Sequence, residues 1–455
     1  MQNIAEIIFK CAHFLNLNLY LCIRNQNIVH MLVQFTFNNY KCFKNETTIN
    51  MVASNSLKKS HYAYQTELSY SLLKSLVFYG ANASGKTKLF DALAFMRCVV
   101  CPPKRDEKIP VFDFWQTKYD AFRLNTYSDK QESMFEIVFI LNDIQYRYGL
   151  SLNKTEILSE WLYIKKRRET LVFSREGIDV KINGNQISEK IYSAIKSAGM
   201  LSNVVPFVAI MATFSDPLSK EILNWVSSIV VISANDIRPV QLFEPDKKDS
   251  IVTFMKAFDI NIEDLLPHEV DYEHIPEKIK FLIGDDNPKG KVYDGFHTLH
   301  KVYNELYERV DSTKFSLEKD ESFGTNRLLG MAWPIISSLR NGTLLLIDEF
   351  DSGIHSYIIS KIISLYYNSN SKAQLIVNTH NTALLSAKDE EGQKLFKKDN
   401  VYVVNKNRYG ESSVMPITDY SNELRSNLEK YYLNGDITGV PYVDTESLLN
   451  EIQKR

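Results

Sequence analysis

The sequence predicts an α/β fold: a mostly parallel sheet, an antiparallel β layer beside it, and an inserted helical subdomain. Three observations point there. Leu344-Leu345-Leu346-Ile347 is an unbroken apolar run, as in a strand buried on both faces, and it ends abruptly in Asp348 and Glu349. Leu76-Val77-Phe78-Tyr79 reads as a second such strand, followed by a loop bracketed by Gly80 and Gly85 and by a helix-compatible stretch over 88–97. Strand-like alternation dominates 33–52 and 135–164, the pattern of a sheet with one solvated face.

Composition sets the bounds. With 455 residues and 44% hydrophobic content the chain has room for two or three domains and a large core. The net charge of −2 gives no global attraction to nucleic acid; DNA binding is permitted through a local basic face, but composition does not argue for it. Five cysteines form no disulfide framework, so a reducing, cytoplasmic setting is expected. No apolar run reaches the roughly 18 residues of a membrane span. Residues 1–30 contain apolar runs broken by Lys10 and His13, without a small-residue cleavage site. They read as an N-terminal extension or an over-extended start, with the compact domain beginning at Met31.

The first lobe is expected over 31–186. Strands are predicted at 33–37, 47–52, 135–140, 146–150 and 160–164, with Asn142-Asp143 as a hairpin signal. Lys165-Lys166-Arg167-Arg168 reads as a solvated hairpin tip, a nucleic-acid patch being the alternative. Residues 187–319 read as the helical insertion, with helices over 191–200, 218–229 and 251–258 and loops around Pro239, Pro245 and 285–290. No sustained heptad repeat marks a coiled-coil arm. The second lobe, 320–455, alternates helix 326–338 (kinked at Pro334), strand 344–347, helix 354–367, strand 374–377 and strand 401–405.

Gly80-Ala81-Asn82-Ala83-Ser84-Gly85-Lys86-Thr87 matches the phosphate-cradling pattern G-x-x-x-x-G-K-[ST] at every fixed position. Its glycines let the backbone approach phosphates, the following helix start offers free N–H groups, and Lys86 reaches the β- and γ-phosphates. Thr87 and Asp348 are the expected Mg²⁺ ligands, and Glu349 is placed to deprotonate an attacking water. ATP and Mg²⁺ are therefore the expected ligands. The C-x-x-C pair Cys98 and Cys101, the pair His297 and His300, and the histidines between 268 and 274 read as packing or surface residues.

Ser322-Phe323-Gly324-Thr325 opens a helix before the carboxylate-ended strand, and His380 follows the next strand in Asn378-Thr379-His380-Asn381. This order resembles the ATP-binding cassette (ABC) type of P-loop ATPase, including its SMC-like and OLD-like branches. The resemblance implies that the serine-glycine turn of one protomer closes on ATP held by its partner, giving a homodimer with two composite sites. Carried over, Ser322, Gly324 and Thr325 fall on that trans-acting turn, Asp351 on the dimer-contact loop, and His380 on the γ-phosphate switch. Phe323 and Thr325 depart from the transporter signature toward the soluble, OLD-like form. Gln116 and Gln131 are candidates for a Mg²⁺-sensing glutamine, neither in a convincing context.

Phe37-Asn38-Asn39-Tyr40-Lys41-Cys42-Phe43-Lys44, Tyr146-Arg147-Tyr148-Gly149 and the stretch from Tyr431 onward look like stand-alone ATPases of prokaryotic phage-defence operons, of the RloA and AbiLi type. On that likeness Lys41 is a phosphate or base contact. Relatives with their own nuclease carry a Toprim domain after the histidine, and about 75 residues remain here, too few for one. The resemblance thus implies a separately encoded effector, a Toprim or RloB-like nuclease, with higher assemblies of the dimer open. An SMC-like DNA-binding ATPase of repair or chromosome maintenance is the alternative.

Overall fold

The computed structural model describes residues 30–101, 113–233, 245–271, 291–317, 319–420, 427–440 and 444–453. The expected extension up to residue 29, the loops at Pro239 and 285–290, and residues 272–274 of the 268–274 stretch lie outside them.

In chain order the first lobe contains β1 (His30–Phe37), β2 (Thr47–Asn50), β3 (Ala63–Gln65), β4 (Ser71–Leu73), β5 (Ser75–Tyr79), α1 (Lys86–Val100) and the short α2 (Asp113–Lys118). A meander follows: β6 (Ser133–Leu141), β7 (Ile144–Leu152), β8 (Ile157–Lys165), β9 (Glu169–Glu176) and β10 (Asp179–Ile182). With β1 and β2 it makes a seven-stranded antiparallel sheet in the order β10-β9-β8-β7-β6-β1-β2. The hairpin signal at Asn142 and Asp143 is real: both take positive φ between β6 and β7, as a tight primed turn requires.

The segment expected to be a helical insertion is only partly helical. It supplies α3 (Glu189–Ser197), α4 (Phe207–Thr213), α5 (Pro217–Ser228) and α6 (Pro245–Ala257), with β11 (Val230–Ile232) between the last two. Then it becomes a three-stranded antiparallel sheet of β12 (Asp264–Asp271), β13 (Lys291–Tyr303) and β14 (Arg309–Ser316). β14 is exposed on both faces, so its sequence carries no alternating apolar stripe to betray it. β11 is not part of any insertion in space: it pairs in parallel with the strand 344–347 and forms an edge of the central sheet.

The second lobe contributes α7 (Phe323–Asn341), β15 (Leu344–Ile347), α8 (Ser356–Asn368), β16 (Gln374–Asn378), β17 (Val401–Lys406) and β18 (Ser412–Pro416), followed by α9 (Leu428–Leu433) and α10 (Thr445–Gln453). Pro334 sits inside α7, which runs on to Asn341. The central sheet has the order β11-β15-β16-β5-β17-β18, parallel except for the last pair. β5, β15 and β16 are buried along their whole length, as their apolar runs require.

Two features lock the sheets together. The buried Gln374 amide bridges them, accepting from Leu32 N–H at 2.6 Å and donating to Leu32 O at 3.0 Å. An aromatic core does the rest: Phe95 of α1 packs on Tyr40 (5.0 Å between ring centroids) and Phe135 (5.3 Å), and Phe37 on Phe43 (5.1 Å). The lobes are thus held firmly enough that the C-terminal ends of β5, β15 and β16 bring 80–87, 348–353 and 379–381 to one rim, where ligands of open α/β sheets bind.

Candidate nucleotide site

The loop after β5 has room for nothing larger than glycine at its two fixed positions. Gly80 (φ +153°) and Gly85 (φ +114°) both lie at positive φ. A Cβ on Gly80 would stand 2.3 Å from Val404 O, and one on Gly85 2.8 Å from Cys42 Sγ. The Ser412 hydroxyl of β18 donates to Ser84 O at 2.6 Å and pins the loop from the neighbouring strand.

Lys86 opens α1 and is buried. Its ammonium donates to Gly80 O (2.8 Å) and Ala81 O (3.0 Å), folded against the loop it serves. Burial lowers its pKa to about 8, with Asp348, Asp351 and Glu349 pulling the other way. The next residue, Thr87, donates its hydroxyl to Asp348 Oδ1 at 3.1 Å. Asp348 is buried at the end of β15, its N–H bound to Ile232 O (2.9 Å) and its carboxylate also held by the Asn378 amide.

Glu349 follows with an exposed side chain and a left-handed backbone, φ +49°. His380 is exposed beyond β16; its N–H faces both oxygens of Asp351 at 3.3 Å. Partial desolvation lowers the imidazole pKa, with Lys86 adding to the effect and Asp351, Glu349 and Asp348 opposing it.

Lys86, Thr87, Glu349 and His380 line a cleft of about 680 Å³, whereas Asp348 and Asp351 are not among its lining residues. Asn82, Ala83, Ser84, Gly85 and Asn378 line it too, together with Lys41, Cys42, Asp120, Arg123, Leu124 and Lys406. Gly80 and Ala81 serve through their carbonyls on Lys86. Lys41 lines the cleft, with its ammonium paired to Asp91 at 2.5 Å. Asn378, Asp120, Arg123 and Lys406 were not singled out by sequence. Asn378 gave one signal, a polar residue directly after the apolar run Leu375-Ile376-Val377.

Ser322, Gly324 and Thr325 are not among the residues lining this cleft. Ser322 caps α7, accepting from Thr325 N–H at 3.0 Å. Gly324 lies so close to the loop after Glu349 that a Cβ would come within 2.3 Å of Gly353 O. Gln116 donates to Thr155 O and Gln131 is exposed; neither lines the cleft. Burial raises the Cys101 pKa to about 12, its thiol against Leu223 O, and His300 binds Glu321 at 2.7 Å. Among the described residues no group of histidine, cysteine and carboxylate side chains could hold a metal on its own.

The donor set nevertheless suits Mg²⁺ completed by a phosphate. A hydroxyl and a carboxylate, both hard oxygen ligands, already touch, and Mg²⁺ typically takes one or two protein ligands beside phosphate and water.

The family described as "AAA domain, putative AbiEii toxin, Type IV TA system" matches residues 75–386. The chain belongs to this AAA-domain family. The AAA-domain match runs from β5 past His380, so Lys86, Thr87, Ser322, Asp348 and Glu349 all fall within it. This AAA-domain protein is a P-loop ATPase. No curated protein matches the chain. Among solved structures it has loose likenesses to three SMC heads. The SMC head domain from Thermotoga maritima is 15% identical (85% of this chain, 98% of that one, TM-score 0.38). An SMC head bound to the C-terminal winged-helix domain of ScpA is 13% identical (88% and 99%, TM-score 0.41). An SMC head with an extended coiled coil, bound to a C-terminal domain of ScpA derived from Pyrococcus furiosus, is 14% identical (94% and 100%, TM-score 0.37). The family assignment rests on the match over 75–386. No described helix is long and apolar enough to cross a membrane.

Proposed function

We propose that this ATPase is a cytoplasmic homodimeric switch that closes on two ATP molecules and, through its closed and open states, holds and releases a separately encoded nuclease or toxin in defence against phage. One observation carries the reading: the Ser322-Phe323-Gly324-Thr325 turn, with its hydroxyls and helix start, stands off the chain's own cleft. An anion receptor that does not face its own nucleotide suits another protomer's. The matched family's description names a toxin of a toxin–antitoxin system, in keeping with work done beside a second gene product.

Within each site the loop N–H groups and Lys86 would bind the phosphates, while Thr87 and Asp348 would hold Mg²⁺. The ion, when bound, neutralises charge developing on the phosphates. Glu349 projects into the cleft, takes a proton from the attacking water, and His380 faces the same space. The partner's Ser322 turn completes the enclosure, so hydrolysis is coupled to association.

Co-purification of the chain with the products of adjoining genes, with and without ATP, tests the switch. An effector retained in one nucleotide state and released in the other is expected. ATPase activity stimulated by DNA ends, with no protein partner retained in any state, would overturn it in favour of a DNA-binding ATPase.

A further inference from the structure

The backbone of Glu349 is gripped from two sides. From the central sheet, Asn378, fully buried at the end of β16, accepts the Glu349 N–H at 2.7 Å and donates to the Asp348 carboxylate. From the opposite side comes Arg327 of α7, also fully buried. Its Nη2 donates to Asp348 O at 2.6 Å and lies 3.4 Å from Glu349 O, while Nη1 donates to Ser233 O at 3.0 Å. The planar guanidinium thus fixes both carbonyls that bracket the Glu349 peptide, and the left-handed φ of +49° is the conformation so held.

Arg327 stands on the helix whose first residues are the Ser322 turn. A helix transmits displacement of its head as a rigid rod, so Ser322 and the clamp on Glu349 move together. We propose that Arg327 is a positioning residue for Glu349 of its own chain, so that α7 serves both sites of the dimer: its head the partner's, its Arg327 its own. This rests on the shared-site reading above. Closure of Ser322 on a partner's phosphate then sets the direction of the carboxylate at the chain's own nucleotide, which links the two sites mechanically.

Mixed dimers separate the two roles. R327M alone is expected to bind ATP within about threefold of the native chain, with kcat lowered about 30-fold or more and KM little changed, because only the base is misplaced. R327K, able to reach one carbonyl, recovers part of the rate. An R327M protomer paired with a Lys86→Ala protomer should be slow, since the only ATP lies beside the displaced Glu349. A native protomer paired with a Lys86→Ala, R327M double variant should keep its rate, since that double variant only lends Ser322. Equal rates in the two pairings, an unchanged kcat, or loss of ATP binding in R327M would overturn the proposal. The control is a native protomer paired with a Lys86→Ala, Ser322→Arg double variant: if its rate persists, the shared-site reading itself fails, whatever R327M does.

Discussion

Thr87 and Asp348, 261 positions apart, are joined by a hydrogen bond of 3.1 Å across the rim of the central sheet. They meet because β5 and β15 flank β16 in one parallel sheet, whose C-terminal ends rise together. A hydroxyl and a carboxylate brought into contact this way suit one divalent cation better than two independent surface roles. Asp348→Asn should therefore lower Mg²⁺-dependent ATP hydrolysis at least about 100-fold. Phosphate-release assays over a range of Mg²⁺ check this; full activity in the variant would remove Asp348 from the metal site.

Glu349 is expected to act on water, not to hold the nucleotide, since its side chain is exposed at the cleft while Lys86 and Thr87 are buried or half-buried around the phosphate loop. Glu349→Gln keeps the shape and removes the base. With ATP and Mg²⁺ it should accumulate as a dimer on size exclusion with unhydrolysed ATP bound. A variant that hydrolyses at the native rate would mean that the chain's ATPase chemistry lies elsewhere.

Lys86 gives the site a pH dependence of known sign. Its pKa is held down to about 8 by burial, and the phosphate oxygens of a bound nucleotide would favour the charged form. Below pH 8 the ammonium is charged before ATP arrives. Above it, binding must take up a proton, so affinity falls as pH rises, by up to about tenfold per unit. Calorimetry at pH 8.5 in buffers of different ionisation enthalpy should detect that uptake; binding without proton exchange would show that Lys86 keeps its charge throughout.

Much of this site was legible in sequence because its parts are local. The β5 and β15 runs, the loop from Gly80 to Thr87 and the carboxylates after Ile347 each announce themselves within a few residues. Asn378 and Arg327 do not. Their meaning comes from contacts with Asp348 and Glu349 that the fold creates 21 to 30 positions away. β14 escaped notice for another reason: with both faces exposed, its pairing to β13 rests on main-chain hydrogen bonds that leave no apolar period. β11 has only three residues, too few for any period.

The meander carries a buried ion pair that should prove costly to break. Arg175 and Glu160 are 2% and 0% exposed and 3.4 Å apart. Glu160 also accepts from Phe207 N–H at 2.6 Å and Val208 N–H at 3.1 Å, while Arg175 donates to Val205 O, tying β8 and β9 to the start of α4. Arg175→Met leaves that carboxylate buried without its cation and should cost about 3–5 kcal/mol in urea unfolding. A loss below about 1 kcal/mol, the range of exposed pairs, would mean that water reaches the pair in solution.

The shared site is the centre of the account, and complementation tests it most directly. Lys86→Ala removes the phosphate lysine and Ser322→Arg blocks the serine turn, so each variant alone should be inactive. Mixed in equal amounts and allowed to exchange protomers, half the dimers hold one intact site, and ATPase activity should return to about a quarter of the native rate, as expected for two symmetry-related composite sites. A mixture as inactive as its components would contradict the assignment of Ser322 to a partner's ATP.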